Sequence, residues 1–185
     1  MTNAIAARVA VTALLFATAC APQAEAPDPP AEEPHPEEAA VVAAVQQLFD
    51  AMRAGDSEMA RAVFHPDARL GRAGDDGISF SAADGFIEMI GRPRDVVYDE
   101  PIWDWTVQID GRLAHMWTKY AFYLGDDFSH CGEESFQLYR SDAGWQITQL
   151  VDTSRREDCF YPPGREPAAE EGDEPGDGDE PAQAS

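Results

Sequence analysis

The sequence predicts an α+β domain, with N-terminal helices packed on a curved antiparallel sheet. Two observations carry this expectation. Up to Ile90 the apolar residues recur at helical spacing, and after Pro101 the period changes to two. The period-two stretches are also separated by short Gly/Asp turns of the kind that close hairpins.

The first helix has Glu37 and Glu38 at its start, where the helix dipole favours acid, and Pro36 just outside. Val41, Val45, Leu48 and Met52 recur at i, i+4, i+7 and i+11 with Phe49 alongside, which marks one buried face. Gly55 ends this helix. Asp56 is placed to cap a short second helix carrying Met59, Val63 and Phe64. His65-Pro66-Asp67 breaks that helix, and a strand can begin at 68–70. With three Gly and two Asp, 71–77 reads as a loop. Residues 82–90 suit a third helix with Phe86, Ile87 and Ile90 apolar, ended by Gly91 and Pro93.

Trp103, Trp105, Val107 and Ile109 then alternate with Asp104, Thr106 and Gln108, so the first long strand has one dry and one wet face. Asp110-Gly111 turns the chain into a strand over 112–124. Its even positions are Ala114, Met116, Thr118, Tyr120 and Phe122, and its odd ones His115, Trp117, Lys119, Ala121 and Tyr123. Neither face is fully polar, as for a central strand or one whose second face is covered. A turn at Gly125-Asp126-Asp127 leads to a return strand with Phe136 and Leu138 on one parity. A turn at 141–144 precedes the last strand, 145–151, with Trp145, Ile147 and Val151 on one side.

The flanks differ in kind. Residues 1–20 read as a secretory signal: Arg8, then an apolar run over 9–19, too short to cross a bilayer as a permanent helix. Its end, Leu15-Phe16-Ala17-Thr18-Ala19-Cys20, resembles a bacterial lipoprotein signal, which implies lipidation of Cys20. Ala17 stands where such signals usually carry Leu or Val, and Ala17-Thr18-Ala19 also fits conventional cleavage. With Ala21 next, the resemblance implies an outer-membrane anchor facing the periplasm. Residues 21–36 form a Pro/Glu-rich tether, 37–161 the domain and 162–185 an acidic tail; neither flank has the apolar side chains that would offset the entropy of ordering. Of the net charge of −22, Arg8 contributes +1, residues 22–38 contribute −6 and 164–185 contribute −7. The remaining −10 of residues 39–163 still argues against nucleic acid and against electrostatic binding to anionic lipid.

Three stretches resemble a known superfamily. LFDAMRAGDSEMARAVFHPDARL at 48–70 looks like the opening of the nuclear transport factor 2-like (SnoaL-like) superfamily, and GWQITQLVDT at 144–153 like its closing strand. HMWTKYAFYLGDDFSHCG at 115–132 is similar to a bacterial branch labelled "putative lumazine-binding". The resemblance implies a cone-shaped barrel with a hydrophobic cavity, often dimeric through the outer sheet face. It also covers isomerases, dehydratases, epoxide hydrolases, cyclases and many non-enzymes, so it does not settle activity.

Enzymes of this fold, the resemblance implies, place a carboxylate or His and a Tyr or Trp donor inside the cavity. The candidates are His115, Tyr120, His130 and Asp152. Parity sets His115 and Tyr120 on opposite faces, and Asp104 reads as wet. Asp152 reads as a sheet-edge residue pairing with Arg155 or Arg156, or capping the turn at Thr153-Ser154. No nucleophile–base pair is visible, and Gly71-x-x-Gly74-x-x-Gly77 lacks the strand and Lys of a phosphate loop. Trp103, Trp105, Met116, Tyr120 and Phe122 are the candidate binding residues. Cys131 and Cys159 are expected to pair as a disulfide, with a metal site using His130, or free thiols, as alternatives. The resulting expectation is a lipid-anchored envelope domain that binds a small apolar ligand or a protein without catalysis, with no cofactor. The alternatives are an isomerase, dehydratase or hydrolase with His115 or Asp152 as base, and a structural envelope protein acting through a homodimer face.

Overall fold

The computed structural model describes residues 35–165. Cys20, the signal, most of the tether and the acidic tail beyond 165 lie outside the described residues.

Helix α1 (Glu38–Ala54) buries Val41, Val45, Leu48, Phe49 and Met52, the expected stripe, and closes on Gly55 in the left-handed region (φ 69°). The side chain of Asp56 accepts hydrogen bonds from the backbone N–H groups of Glu58 and Met59 at 3.0 and 2.9 Å, capping α2 (Ser57–Val63). Such a cap contributes about 1 kcal/mol.

Strand β1 (Phe64–Gly74) follows α2 without a loop, because Pro66 and the residue before it favour extended backbone. It returns as β2 (Gly77–Ala82), so 71–77 is no loop but the two ends of a hairpin. Gly71 pairs with Phe80, and a Cβ at Gly71 would lie 2.7 Å from the Phe80 ring. The glycine thus makes room for a cross-strand aromatic rather than breaking the strand. Helix α3 (Asp84–Ile90) comes next, then β3 (Tyr98–Asp99), β4 (Ile102–Asp110), β5 (Leu113–Leu124), β6 (Asp127–Ser141) and β7 (Gly144–Thr153).

The seven strands form one open, curved sheet in the order β2-β1-β7-β6-β5-β3, with β4 also on β5. The pairing is antiparallel except between β1 and β7, which run parallel with Leu70 opposite Leu150 and Arg72 opposite Asp152. The sheet is therefore mixed, a correction to the antiparallel expectation: alternation reports which face a residue takes, not which strand lies beside it.

Irregularities in the register decide the inner face. In β4 the pairing slips between Trp103 (opposite Lys119) and Thr106 (opposite Trp117), with Asp104 at φ 56°. Ile102, Val107 and Ile109 consequently join the core, while Trp103 packs on the outer face and Trp105 is 39% exposed. A single dry face holding both tryptophans with Val107 and Ile109 does not form, because the extra residue reverses parity within the strand. On β5 the even residues Ala114, Met116, Thr118 and Tyr120 are buried. Of its odd residues, Ala121 and Tyr123 are covered by the chain's own C-terminal segment, and Leu113 and Trp117 on that strand are exposed. Cys131 and Cys159 form the disulfide that fastens this segment, and Phe128 meets Tyr161 at 5.2 Å between ring centres. Closing a loop of 28 residues contributes about 3–4 kcal/mol in the chain-entropy model.

One close approach ties β5, β6 and β7 together. Tyr120 lies opposite Gly132, and its hydroxyl donates to the Thr153 carbonyl at 2.7 Å. A Cβ on Gly132 would lie 2.0 Å from that carbonyl oxygen and 2.7 Å from the Tyr120 ring. Gly132→Ala is expected to cost at least about 2 kcal/mol, against about 1 kcal/mol for Tyr120→Phe, since the first forces strands apart and the second removes one hydrogen bond. Urea unfolding of both variants checks the order.

Candidate functional site

A cavity of about 530 Å³ lies between α1, α3 and the inner face of the sheet. Leu48, Phe49 and Met52 from α1 and Phe86 and Met89 from α3 form an apolar wall, continued on the sheet by Leu70, Phe122 and Leu150. The polar residues Arg72, Glu100, His130, Glu134 and Asp152 also line it.

Strand register assembles this polar group. The even residues of β6 point inward, so Gly132 and Glu134 share the face of the fully buried Phe136 and Leu138. Glu134 lies opposite Asp152 on β7, and Asp152 lies beside Arg72 on β1. Directly paired residues hold their side chains about 5 Å apart, so three neighbouring strands present a row of acid, acid and base. Asp152 points inward because the β6–β7 pairing slips between Gln137 and Leu138. Ile147 and Leu150 are both buried, so parity reverses between them and Asp152 follows Leu150 inward. The sheet-edge reading of Asp152 is corrected on this ground: its partner is Arg72, not Arg155 or Arg156.

Arg72 grips Asp152 through two nitrogens. Nε donates to Oδ1 at 3.1 Å and to Oδ2 at 3.2 Å, and Nη2 also donates to Oδ2. The hydrogen bonds to Asp152 raise the pKa of the guanidinium further. Glu100, between β3 and β4, lines the same polar end of the cavity as Glu134. Glu134 is 2% exposed, and its Oε2 has no hydrogen-bond partner. Burial is the main cause raising both acids: with the charge of Asp152 next, it pushes Glu100 up to about 8, and with the charges of Glu100 and Asp152 it holds Glu134 well above the carboxylate range. Both acids therefore favour the protonated form at neutral pH.

His130 stands beside them, its ring tilted against Phe122 at 5.1 Å and edge-on to Tyr120 at 5.8 Å. Nδ1 lies 3.0 Å from the Ser129 hydroxyl, and burial, then the Arg72 charge, lower the imidazole's pKa. Burial raises that of Tyr120, followed by the charges of Asp152 and Glu100. Its hydroxyl proton is committed to Thr153, so Tyr120 is a strut rather than a donor into the cavity.

Of the residues singled out from sequence, Phe122, His130 and Asp152 line the cavity, and Tyr120 stands directly behind His130. His115 is on the other face, 3.0 Å from the Ser135 hydroxyl, out of the cavity as parity required. Met116 is sealed in the core opposite Val107 and Phe136, and Trp103 and Trp105 lie away from the lining. The structure brings together acids that sequence reasoning did not pair. Glu134 carried a signal, two residues from Phe136 on the same parity. Arg72, in a stretch read as a loop, and Glu100, in an irregular link before Pro101, carried none.

The fold is that of the nuclear transport factor 2-like proteins. Solved structures similar to this chain include an NTF2-like protein of unknown function from Shewanella baltica, at 14% identity and TM-score 0.50, covering 65% of this chain and 94% of that one. Two are from Novosphingobium aromaticivorans. One is described as a putative aromatic ring hydroxylase (17% identity, TM-score 0.54, 68% and 93% covered) and one as a putative scytalone dehydratase (12%, 0.54, 65% and 85%). At these identities the likeness is one of fold. The family model described as "Putative lumazine-binding" matches residues 36–151, and the chain belongs to that family. No curated protein matches the sequence.

The buried acids make stability depend on pH. A folded-state pKa raised above the unfolded value stabilises fully below about 4.5, and that contribution is lost as pH rises through about 8. Wild-type stability is thus expected to fall from pH 5 to pH 8 relative to the double variant Glu100→Gln/Glu134→Gln, which removes both titrating acids. Parallel urea titrations of the two proteins across this range, giving the same slope, would disprove it.

Proposed function

We propose that this domain is a binding module, taking a small, largely apolar molecule into the cavity with its polar end against Glu100 and Glu134. The cavity itself carries the reading: about 530 Å³, walled mainly by Leu, Met and Phe, with a few convergent polar groups. The family's description, which names lumazine binding, points to a ligand of the same small class. We further propose that the domain is held at the envelope by a lipid on Cys20, its acidic tether standing it off the membrane. This rests on the signal-like run ending at Cys20.

One observation favours a second reading, general acid–base catalysis of the isomerase, dehydratase or hydrolase type. The Glu100–Glu134 pair holds a proton in a dry site at the pH where such a group would work. Here Glu134, rather than His115 or Asp152, is the group to test.

Ser81 lines the cavity and is itself exposed, so a large side chain there fills space without crowding the core. Ser81→Trp is expected to weaken binding of an apolar fluorescent dye such as anilinonaphthalene sulfonate at least about tenfold while leaving the unfolding midpoint unchanged. Undiminished dye binding would remove the cavity from the proposal. For the anchor, metabolic labelling with palmitate is expected to mark the wild type and not Cys20→Ser; a wild type without label overturns it.

A further inference from the structure

Beyond β7, residues 155–165 run across the outer face of the sheet as a strap, and few points hold it there. At its start Arg155 and Cys131 each donate a backbone N–H to the other's carbonyl at 2.9 Å. Among the described residues no main-chain hydrogen bond joins 156–163 to the sheet. Along its middle Cys159 is bonded to Cys131, and the Tyr161 ring lies against Phe128. Phe160, still 39% exposed, sits between the cations of Lys119 and Arg155 at 4.8 and 4.9 Å. At the far end Arg165 lies over the Tyr123 ring at 4.5 Å and donates to Asp99 at 2.5 Å. Ordering a segment of this length costs more entropy than a handful of exposed ring and ion contacts returns. The covalent link therefore decides whether the strap stays down.

The strap is tied to the cavity at both ends. Cys131 stands between His130, which lines the cavity, and Gly132, which makes room for the Tyr120–Thr153 hydrogen bond. Asp99, which accepts from Arg165, also accepts from Arg53 of α1 at 2.8 Å and directly precedes Glu100. On the other side of Glu100, the Pro101 carbonyl accepts from the N–H of Ala121, a residue buried under the strap, at 3.3 Å. Resting on the binding role proposed above, we infer that the Cys131–Cys159 disulfide is a redox latch on the cavity. Reduced, it lets the strap lift and the Glu100 segment loosen, so that ligand affinity falls. The reductant is a dithiol. Cys131 is fully buried and Cys159 only partly, which directs attack to Cys159. One thiolate of the dithiol bonds to the Cys159 sulfur, the S–S bond breaks, and Cys131 leaves as a thiolate and takes up a proton. The second thiol of the reductant then displaces Cys159. Two electrons and two protons have passed to the protein, and the dithiol departs as a disulfide.

The test follows the full chain, oxidised and then reduced with dithiothreitol, by amide hydrogen exchange, with the thiol count read by mass. Reduction is expected to speed exchange of the Arg155 amide at least about tenfold while the core strands keep their rates, since exchange follows local opening. In parallel, anilinonaphthalene sulfonate is titrated into wild type and Ser81→Trp, whose difference isolates dye held in the cavity from dye on any uncovered outer face. That cavity affinity is expected to weaken at least about threefold on reduction and to return on reoxidation. Cys131→Ala/Cys159→Ala is expected to match the reduced protein with or without reductant. If that variant fails to fold, the wild-type titration decides alone. An Arg155 amide still protected once both thiols are free, core strands that open with the strap, or an unchanged cavity affinity each overturns the latch and leaves the binding role intact. If the oxidised wild type binds no more dye than Ser81→Trp, the binding role falls and the latch with it.

Discussion

The Tyr120 hydroxyl reaches across Gly132 to the Thr153 carbonyl, and the arrangement of the inner sheet depends on that single crossing. Gly132 leaves the space, the tyrosine ring fills it, and the three longest-paired strands are fixed in phase where β7 ends. Phase is what matters, since a slip of one residue would turn Glu134 and Asp152 to solvent and bring their neighbours in. The row Glu134–Asp152–Arg72 is therefore a consequence of backbone packing two residues away. The strained or crowded element is not itself part of the site.

Electrostatically the domain works against its own composition. The whole chain is strongly acidic, and yet two glutamates lie together at the inner end of a cavity walled by hydrocarbon. Neither charge has a cation to itself, because Arg72 is taken by Asp152. Retaining a proton is the cheapest way to keep such a pair dry. The Arg72–Asp152 bridge, by contrast, is open to water on the arginine side, and it serves more to orient Asp152 than to stabilise the fold.

Much of the frame could be read from the chain because it is local. The α1 stripe, the Gly55 stop, the Asp56 cap and the glycine turns depend on residues within a few positions of one another. The Cys131–Cys159 pair was legible by compartment and arithmetic. The site was less so. Glu134 followed from the parity of Phe136 and Leu138 and could have been named. Asp152 was hidden by an irregularity in β7 that reverses alternation, and the two tryptophans of β4 were misplaced by another. The partnership of β1 with β7, which brings Arg72 to Asp152, is a pairing between the first and last long strands. No periodicity records it.

That pairing has a consequence for how the chain comes into being. Eighty positions separate Arg72 from Asp152, and β1 has no neighbour on that side until β7 is present. Helices α1 and α2 and the β4–β5–β6 meander are made of nearby contacts and can form as they emerge. The β1–β2 hairpin must wait beside them, its edge unpaired, until the final strand arrives. A nascent chain wired this way completes its fold only after almost the whole domain has been delivered.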